Sequence, residues 1–203
     1  MIENIDFTPP ADPWTLFRDW YALAETNEPN DANAMALATV GEGGMPSVRV
    51  VLMKSVDENG LVFFTNRESH KGNQLAQHAK AATVLHWKSL KRQIRAEGII
   101  TQVTDAESDA YHATRPRGSQ IGAWVSQQSR PLNRGRAELE EQAKAVEKQY
   151  EGKPVPRPPY WGGYRLAPLM LEFWQERQYR LHDRIVYRRA TVKDGWNIER
   201  LYP

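Results

Sequence analysis

Short apolar runs separated by turn-forming residues recur along most of the chain, and they constrain its fold more than any other feature. Gly41-Glu-Gly-Gly44 separates the runs at 34–40 and 47–54, and Asn59-Gly60 precedes the run at 61–65. Such pairs between apolar runs are strong signals for β-hairpins. Further strands are predicted at 82–87, 93–104, 164–166, 171–175, 185–189 and 196–201. The succession favours a mainly β fold, a closed or partly closed barrel with helices at its periphery.

Helices are predicted at only a few places beside these strands. Asp12 and Pro13 suit the cap and the first position of one helix. An apolar stripe opposite a charged face indicates another helix from 137 to 151. The sequence shows no internal repeat and no linker long enough to divide it. We therefore expect a single domain over residues 1–203, with residues 1–12 as an irregular arm.

The composition argues against several functional classes. The 27 Lys and Arg against 25 Asp and Glu give a net charge of +2, too small to indicate bulk nucleic-acid binding. Cysteine is absent, so disulfides and thiolate chemistry are excluded, and no spacing of His, Asp and Glu suits a metal. No stretch approaches the ~20 apolar residues of a membrane span, and the N-terminus does not resemble a signal peptide. We expect a cytoplasmic protein without membrane, nucleic-acid or metal partners.

The polar stretch YHATRPRGSQIGAWVSQQS, which starts at Tyr111, begins as a helix and then breaks. Thr104 with a glutamate three residues later fits a capping box, and Pro116 should end the helix at about Arg115. Tyr111 and Arg115 are four residues apart and share a helical face, and Ser119 follows the break. A phenol, a guanidinium and a hydroxyl on one bend suit a phosphate ester. A solvated helix end followed by a polar loop fits these residues equally well.

Three further cations lie on predicted elements, although a lone arginine on a strand is usually solvated. Arg49 and Lys54 lie on one predicted strand, where strict alternation places them on opposite faces. Both reach one ligand only if Lys54 lies at the strand end or beyond a bulge. Ser69 can cap a helix with Lys71 in its first turn, where free backbone N–H groups favour a phosphate. Plain exposure to solvent is the alternative for Lys71.

Four separated motifs carry a resemblance to a known family: RVVLMK at 49–54, FFTN at 63–66, RPRGSQIGAWVSQQS at 115–129 and RLHDR at 180–184. From about residue 13 to the end, the chain resembles the pyridoxamine 5′-phosphate oxidase family. The resemblance implies the split β-barrel of FMN-binding proteins and a homodimer whose flavin sites are built from both chains. It also implies oxidation of pyridoxamine or pyridoxine 5′-phosphate to pyridoxal 5′-phosphate, with FMN as cofactor, O2 as acceptor and H2O2 as by-product.

The same resemblance implies roles for individual residues. The substrate phosphate is assigned to Lys54, Tyr111, Arg115 and Ser119. Arg180 is expected to hold the substrate ring against the flavin and His182 to hydrogen-bond the substrate, so these two are the predicted catalytic residues. The predicted FMN-binding residues are Arg49, Val50, Val51, Leu52, Met53, Lys54, Phe64, Thr65, Lys71, Gln93, Gln128, Ser129, Trp174 and Arg184. If RLHDR is extended, its residues 180, 182 and 184 point to one side. A charged strand edge in which Asp183 pairs with an arginine is the alternative.

The chain departs from the family pattern in places. Family members often carry Tyr where this chain has Phe64 and Arg where it has His70, and residues 1–12 lack the Arg and Tyr of the arm that covers the substrate. One alternative function is that of a flavin reductase-type split barrel, which would keep the flavin residues and lose the substrate-phosphate set. A nucleic-acid-binding barrel is the other alternative, and the near-neutral charge argues against it.

Overall fold

A computed structural model describes residues 8–203, so residues 1–7 of the predicted arm lie outside the described part. The helices are α1 (Pro13–Asn27), α2 (His70–Gln77), α3 (Asp105–Thr114), α4 (Arg117–Val125) and α5 (Arg136–Gln149). The strands are β1 (Ala34–Val40), β2 (Pro46–Leu52), β3 (Ser55–Asp57), β4 (Gly60–Asn66), β5 (Lys80–Trp87), β6 (Arg92–Gln102), β7 (Trp161–Gln175), β8 (Asp183–Arg188) and β9 (Asn197–Arg200). The prediction of a mainly β fold with peripheral helices is confirmed. No helix in this part of the chain is long and apolar enough to span a membrane.

The nine strands form one antiparallel sheet, which curls into a half-barrel around the main core. Its order is β2-β1-β5-β6-β7-β4-β3, and β8 and β9 continue from β7. The inner face carries fully buried side chains from several strands, among them Leu37, Phe63, Leu85 and Phe173. Helix α1 packs on them through Trp20, whose ring meets Phe173 edge-on at 5.4 Å. On the outer face, Phe64 of β4 stacks on Tyr111 of α3, whereas Val48 and Val50 of β2 are exposed.

Strand β7 is a single strand of 15 residues, although the sequence predicted two short strands. Pro168 lies between the two predicted strands, and proline cannot donate a ladder hydrogen bond. The register between β6 and β7 shifts between Glu97 and Gly98, directly opposite this proline. Glu97 pairs with Met170 and Gly98 with Pro168, so Leu169 of β7 is the extra residue of a bulge. Gly98 lacks the Cβ that would lie 2.1 Å from the carbonyl oxygen of Ala167, so the two backbones can approach closely and β7 continues.

Helix α4 was also missed, since the sequence suggested a polar loop after Pro116. Pro116 ends α3 and at the same time occupies the N-cap of α4, and a proline is well tolerated at the start of a helix. The buried residues Ile121 and Val125 of α4 form a small second core with Val155, against which α5 packs. Tertiary burial therefore outweighs the unfavourable glycine near the start of this helix.

The capping box predicted at Thr104 is confirmed and should measurably stabilise the fold. The Glu107 backbone N–H donates to Thr104 Oγ1 at 3.1 Å, and the Thr104 N–H donates to Glu107 Oε2 at 2.8 Å. Thr104→Ala removes one of these bonds, so we expect the free energy of unfolding to fall by about 1 kcal/mol. Urea unfolding at one fixed protein concentration measures this. Thr26→Ala, at the exposed end of α1, should stay within about 0.5 kcal/mol of the native protein; equal losses in the two variants would contradict the assignment.

Candidate functional site

A cleft of about 720 Å³ opens between β2, β4 and the two helices that flank Pro116. It is lined by most of the residues predicted from the sequence to bind ligands. These are Arg49, Val50, Val51, Leu52, Lys54, Phe64, Thr65, Lys71, Tyr111, Arg115, Ser119 and Gln128. Tyr111, Arg115 and Ser119 line the same cavity. The structure therefore favours a ligand-binding bend over a solvated helix end followed by a polar loop.

Arg49 and Lys54 both line the cleft because β2 ends before Lys54. The strand stops at Leu52, and the Lys54 N–H instead donates to the carbonyl of Val62 at 2.8 Å. Side-chain alternation therefore stops before Lys54, which lies beyond the strand end. This was one of the two arrangements under which the sequence allowed both cations to reach one ligand. Met53, by contrast, is buried in the main core and does not line the cleft.

Lys71 is a buried cation at the start of α2, and the predicted cap at Ser69 is confirmed. Its Nζ donates to Thr65 Oγ1 at 2.9 Å and to Gln128 Oε1 at 2.7 Å, and only 8% of the residue is exposed. Burial is the main cause that lowers the pKa of Lys71 to about 8, and the nearby Arg49 charge adds to it. Because no carboxylate in residues 8–203 pairs with the ammonium, an incoming anion would relieve the cost of burying it.

Arg49 is held in place by uncharged acceptors. Its Nη1 donates to the Leu37 carbonyl at 3.1 Å and to Thr39 Oγ1 at 2.6 Å, while Nη2 reaches Gln74 Oε1 at 3.4 Å. Burial lowers the pKa of Arg49 from its ordinary value. Together, Arg49 and Lys71 place two positive charges at the N-terminus of a helix, which is the arrangement that favours a phosphate group.

One wall of the cleft consists of nearly parallel aromatic rings. Phe64 stacks on Tyr111 at 4.1 Å and on Trp161 at 5.4 Å. The Arg115 guanidinium lies over the Trp161 ring, 4.7 Å from its centroid. Gly163, opposite Phe64 in the sheet, leaves room for the ring, since a Cβ there would lie 2.7 Å from Phe64 Cε1. A flat ligand and a negatively charged group can therefore both be accommodated at this wall.

Sequence reasoning missed Trp161 as a site residue. The signal was present in the Gly162-Gly163 pair that follows it, because glycines inside a strand often mark the close approach of another group. Asn66, Thr114 and Ser126 also line the cleft without having been predicted. Ser129 was predicted but does not line it; the residue is exposed and has a φ of 73°.

The remaining predicted residues form a second cluster on β6, β7 and β8. Gln93 pairs with Trp174, and Trp174 pairs with Arg184, so the three side chains share one face of the sheet. His182 packs against the Trp174 ring at 4.7 Å and accepts the Arg177 backbone N–H at Nδ1. Arg184 Nε donates to the buried Glu172 carboxylate at 2.8 Å, and this hydrogen bond raises the pKa of Arg184.

The extended conformation considered for RLHDR is wrong for its first residues. Residues 178–180 form a tight 3-10 turn in which Tyr179 and Arg180 have φ values of 57° and 64°. Arg180 is exposed at the tip of this turn, and β8 starts only at Asp183. Asp183 accepts a hydrogen bond from Arg177 Nε at 2.6 Å, so the ion pair of the alternative interpretation is present.

The cleft and the second cluster are far apart within one chain. Trp161 opens β7 at the cleft and Trp174 lies next to the other end of β7, so roughly 40 Å of strand separates them. Among the residues that the structure describes, no group of three or more His, Asp or Glu side chains could hold a metal ion. One chain thus brings the predicted phosphate-binding residues together but does not bring Arg180, His182 or Arg184 to them.

Two family models cover most of the chain. Residues 24–150 match the model described as pyridoxamine 5′-phosphate oxidase. Residues 161–203, which contain the second cluster, match the model described as the pyridoxine 5′-phosphate oxidase C-terminal dimerisation region. The second model starts at the first residue of β7, so the whole of this strand belongs to the dimerisation region. The start of β7 contributes Trp161 to the cleft wall, and its end contributes Trp174 to the second cluster.

Curated relatives are similar over nearly the full length. The pyridoxine/pyridoxamine 5′-phosphate oxidases of Azorhizobium caulinodans and Brucella canis are 54% and 52% identical over 198 residues, which are 98% of this chain and 93% and 97% of theirs. The crystal structure of PhzG from Burkholderia lata, in complex with tetrahydrophenazine-1-carboxylic acid, is 32% identical with a TM-score of 0.91 and covers 98% of both chains. A pyridoxamine 5′-phosphate oxidase-related, FMN-binding protein from Nostoc punctiforme, at 18% identity and a TM-score of 0.77 over 96% of this chain and 100% of its own, shares the fold.

The lowered pKa of Lys71 should appear in the stability of the unliganded protein. The folded state holds this proton more weakly than the unfolded chain, so unfolding free energy attributable to Lys71 should rise as the pH increases from about 8 to 10.5. We expect the rise to amount to roughly 1–3 kcal/mol and to be absent from Lys71→Met. The difference between the two urea-unfolding series at fixed protein concentration isolates this contribution. Lys144→Met, on the exposed side of α5, is the matched control; a Lys71→Met series parallel to the native one would refute the prediction.

Proposed function

Because the chain belongs to the pyridoxamine 5′-phosphate oxidase family, we propose that it uses FMN and O2 to oxidise pyridoxamine and pyridoxine 5′-phosphate to pyridoxal 5′-phosphate, releasing H2O2. Membership of the family makes the chain an oxidoreductase that acts on vitamin B6 phosphates. The proposal adds FMN as the flavin, O2 as the acceptor and the roles of individual residues. The observation that carries it is a single cleft with two cationic groups, built on different elements, beside a wall of flat rings.

The first cationic group suits the phosphate of FMN. Lys71 and Arg49 are buried or half-buried, are oriented by uncharged acceptors, and lie at the start of α2. Thr65 and Gln128, which already hydrogen-bond Lys71, add polar atoms next to it. FMN held by these residues would supply the two-electron redox chemistry of the oxidation, with O2 as the final acceptor.

The second cationic group suits the phosphate of the substrate. Arg115 lines the cleft at the end of α3, and its Nη1 is buried and makes no hydrogen bond with the described residues. Tyr111 and Ser119 add hydroxyl groups, and Lys54 adds a positive charge from the end of β2. A flavin reductase-type protein would have no use for this second group, so the alternative is disfavoured.

We assign the remaining roles to a second copy of the chain. The outer face of the sheet is unusually apolar at its β2 edge, where Val48 and Val50 are 69% and 66% exposed. Cross-strand pairing places Trp174 and Arg184 on the same face, with Trp174 about four strand spacings or roughly 19 Å from β2 and Arg184 one strand further. In a two-fold dimer that buries this face, each chain can present its Trp174 cluster to the β2 cleft of the other.

In this dimer each side chain has a physical task. Arg180, exposed at its turn, contacts the substrate ring and holds it against the flavin, while His182 hydrogen-bonds the substrate. Gln93 offers both a donor and an acceptor to the polar edge of the flavin ring. Arg184, oriented by Glu172, supplies positive charge where negative charge grows on the cofactor.

The test of the proposed function is an oxidase assay on the purified protein. After reconstitution with FMN and desalting, we expect flavin absorbance near one FMN per chain, and equal amounts of pyridoxal 5′-phosphate and H2O2 from pyridoxamine 5′-phosphate. Pyridoxamine without phosphate should be a poorer substrate by roughly ten- to a hundredfold in kcat/KM, because a charge-assisted contact is lost. A flavin-loaded protein that oxidises reduced nicotinamides and leaves pyridoxamine 5′-phosphate unchanged would instead establish the flavin reductase alternative.

A further inference from the structure

We propose that Trp161 is a positioning residue that fixes the Arg115 guanidinium for the substrate phosphate and thereby sets the preference for phosphorylated over unphosphorylated substrates. The inference rests on the proposed function and deepens it, because it names the part of the cleft that distinguishes the two kinds of substrate. Trp161 acts through Arg115, with which it is in contact, and no covalent step is required of it.

Arg115 is held by an aromatic face and keeps its full charge available. Its guanidinium lies 4.7 Å from the Trp161 ring centroid, and no carboxylate among the described residues pairs with it. Arg157 behaves differently: it forms ion pairs with Asp105 at 3.0 Å and Asp109 at 2.6 Å. A carboxylate partner would compete with a phosphate for the guanidinium, whereas an indole face stabilises the cation without neutralising it.

The Arg115 guanidinium is partly enclosed and partly open to the cleft. Its Nη1 is buried and has no hydrogen-bond partner in the described part of the chain, whereas the residue as a whole is half-buried and lines the cleft. Because enclosure keeps water from part of the cation, a charge-assisted hydrogen bond to it is stronger than one to an exposed arginine. A phosphate in the cleft can make such a bond, and a neutral hydroxymethyl group can do so only weakly.

Trp161 is itself fixed on several sides, so it can act as a rigid support. The residue is 6% exposed, its backbone pairs with Asn66 of β4, and its carbonyl accepts a hydrogen bond from Arg157 at 2.7 Å. Phe64 lies nearly parallel to the indole, and His112 meets it edge-on at 5.3 Å. Loss of the indole would leave Arg115, a side chain with many rotamers, without the surface that orients it.

The experiment compares phosphorylated and unphosphorylated ligands on the FMN-loaded protein. The affinities for pyridoxal 5′-phosphate and for pyridoxal are measured by equilibrium dialysis, and KM and kcat are measured with pyridoxamine 5′-phosphate. In Trp161→Leu we expect the affinity for pyridoxal 5′-phosphate to fall roughly 5- to 30-fold, the size of a desolvated cation–π contact, while the affinity for pyridoxal stays within about twofold. KM should rise by a similar factor, with kcat nearly unchanged. Trp161→Phe, which keeps an aromatic face, should recover most of the loss.

A double-mutant cycle with Arg115→Ala makes the test specific. If Trp161 acts through Arg115, Trp161→Leu should have no further effect on the affinity for pyridoxal 5′-phosphate once Arg115 is alanine. Effects that simply add, or equal losses for pyridoxal and its phosphate, would overturn the inference. Where Trp161→Leu does not fold, the same cycle with Trp161→Phe decides, with a smaller expected loss.

Trp196→Leu provides the matched control. Trp196 carries the same kind of contact, with Arg189 4.2 Å from its ring, but neither residue lines the cleft. The control should leave the ratio of the two affinities unchanged, with melting temperature and flavin content checked for every variant. The ratio of the affinities for pyridoxal 5′-phosphate and pyridoxal does not depend on turnover. A protein that shows the expected ratios but has no oxidase activity would therefore refute the proposed function and leave the role of Trp161 intact. A control that lowers the ratio as much as Trp161→Leu would overturn that role.

Discussion

The length and pairing of β7 are the constraint on which the rest of the structure depends. This strand hydrogen-bonds to β4 at its start, to β6 along nearly all of its length, and to β8 at its end. A strand held in this way cannot fold back on itself, so Trp161 and Trp174 stay at opposite ends of one rigid element. The candidate residues of one chain therefore stay in two separate groups, and a second copy is the simplest means of joining them in the proposed function.

The two cationic groups of the cleft keep their charge available by different physical means. Lys71 is buried among hydroxyl and amide oxygens, and this burial lowers its pKa to about 8. Arg115 lies on an indole face, with one nitrogen left without a partner in the described residues. Neither cation has a carboxylate partner among residues 8–203, so an anionic ligand can supply the counter-charge.

Local signals in the sequence were sufficient for most of the elements near the cleft. The caps at Asp12, Ser69 and Thr104 and the hairpin at Asn59 depend on neighbouring residues, and the structure has all four. The failures have non-local causes. Helix α4 depends on burial against α5, the continuity of β7 through its bulge depends on a glycine in β6, and the turn at Arg180 depends on contacts around His182. Most cleft-lining residues that belong to sequence motifs were predicted, whereas Trp161, which is recognised only through its neighbours in space, was not.

The claim that each site is shared by two chains is tested most directly by mixing two damaged proteins. Arg115→Ala impairs the cleft and Arg180→Leu impairs the turn, so each variant alone should have little activity with pyridoxamine 5′-phosphate. In a mixed dimer, one site combines an intact cleft with the intact turn of the other chain. After unfolding and refolding together, random pairing should restore about one quarter of native activity per FMN, because half of the dimers are mixed and half of their sites are intact. A mixture no more active than its two components would contradict the account and place the whole site within one chain.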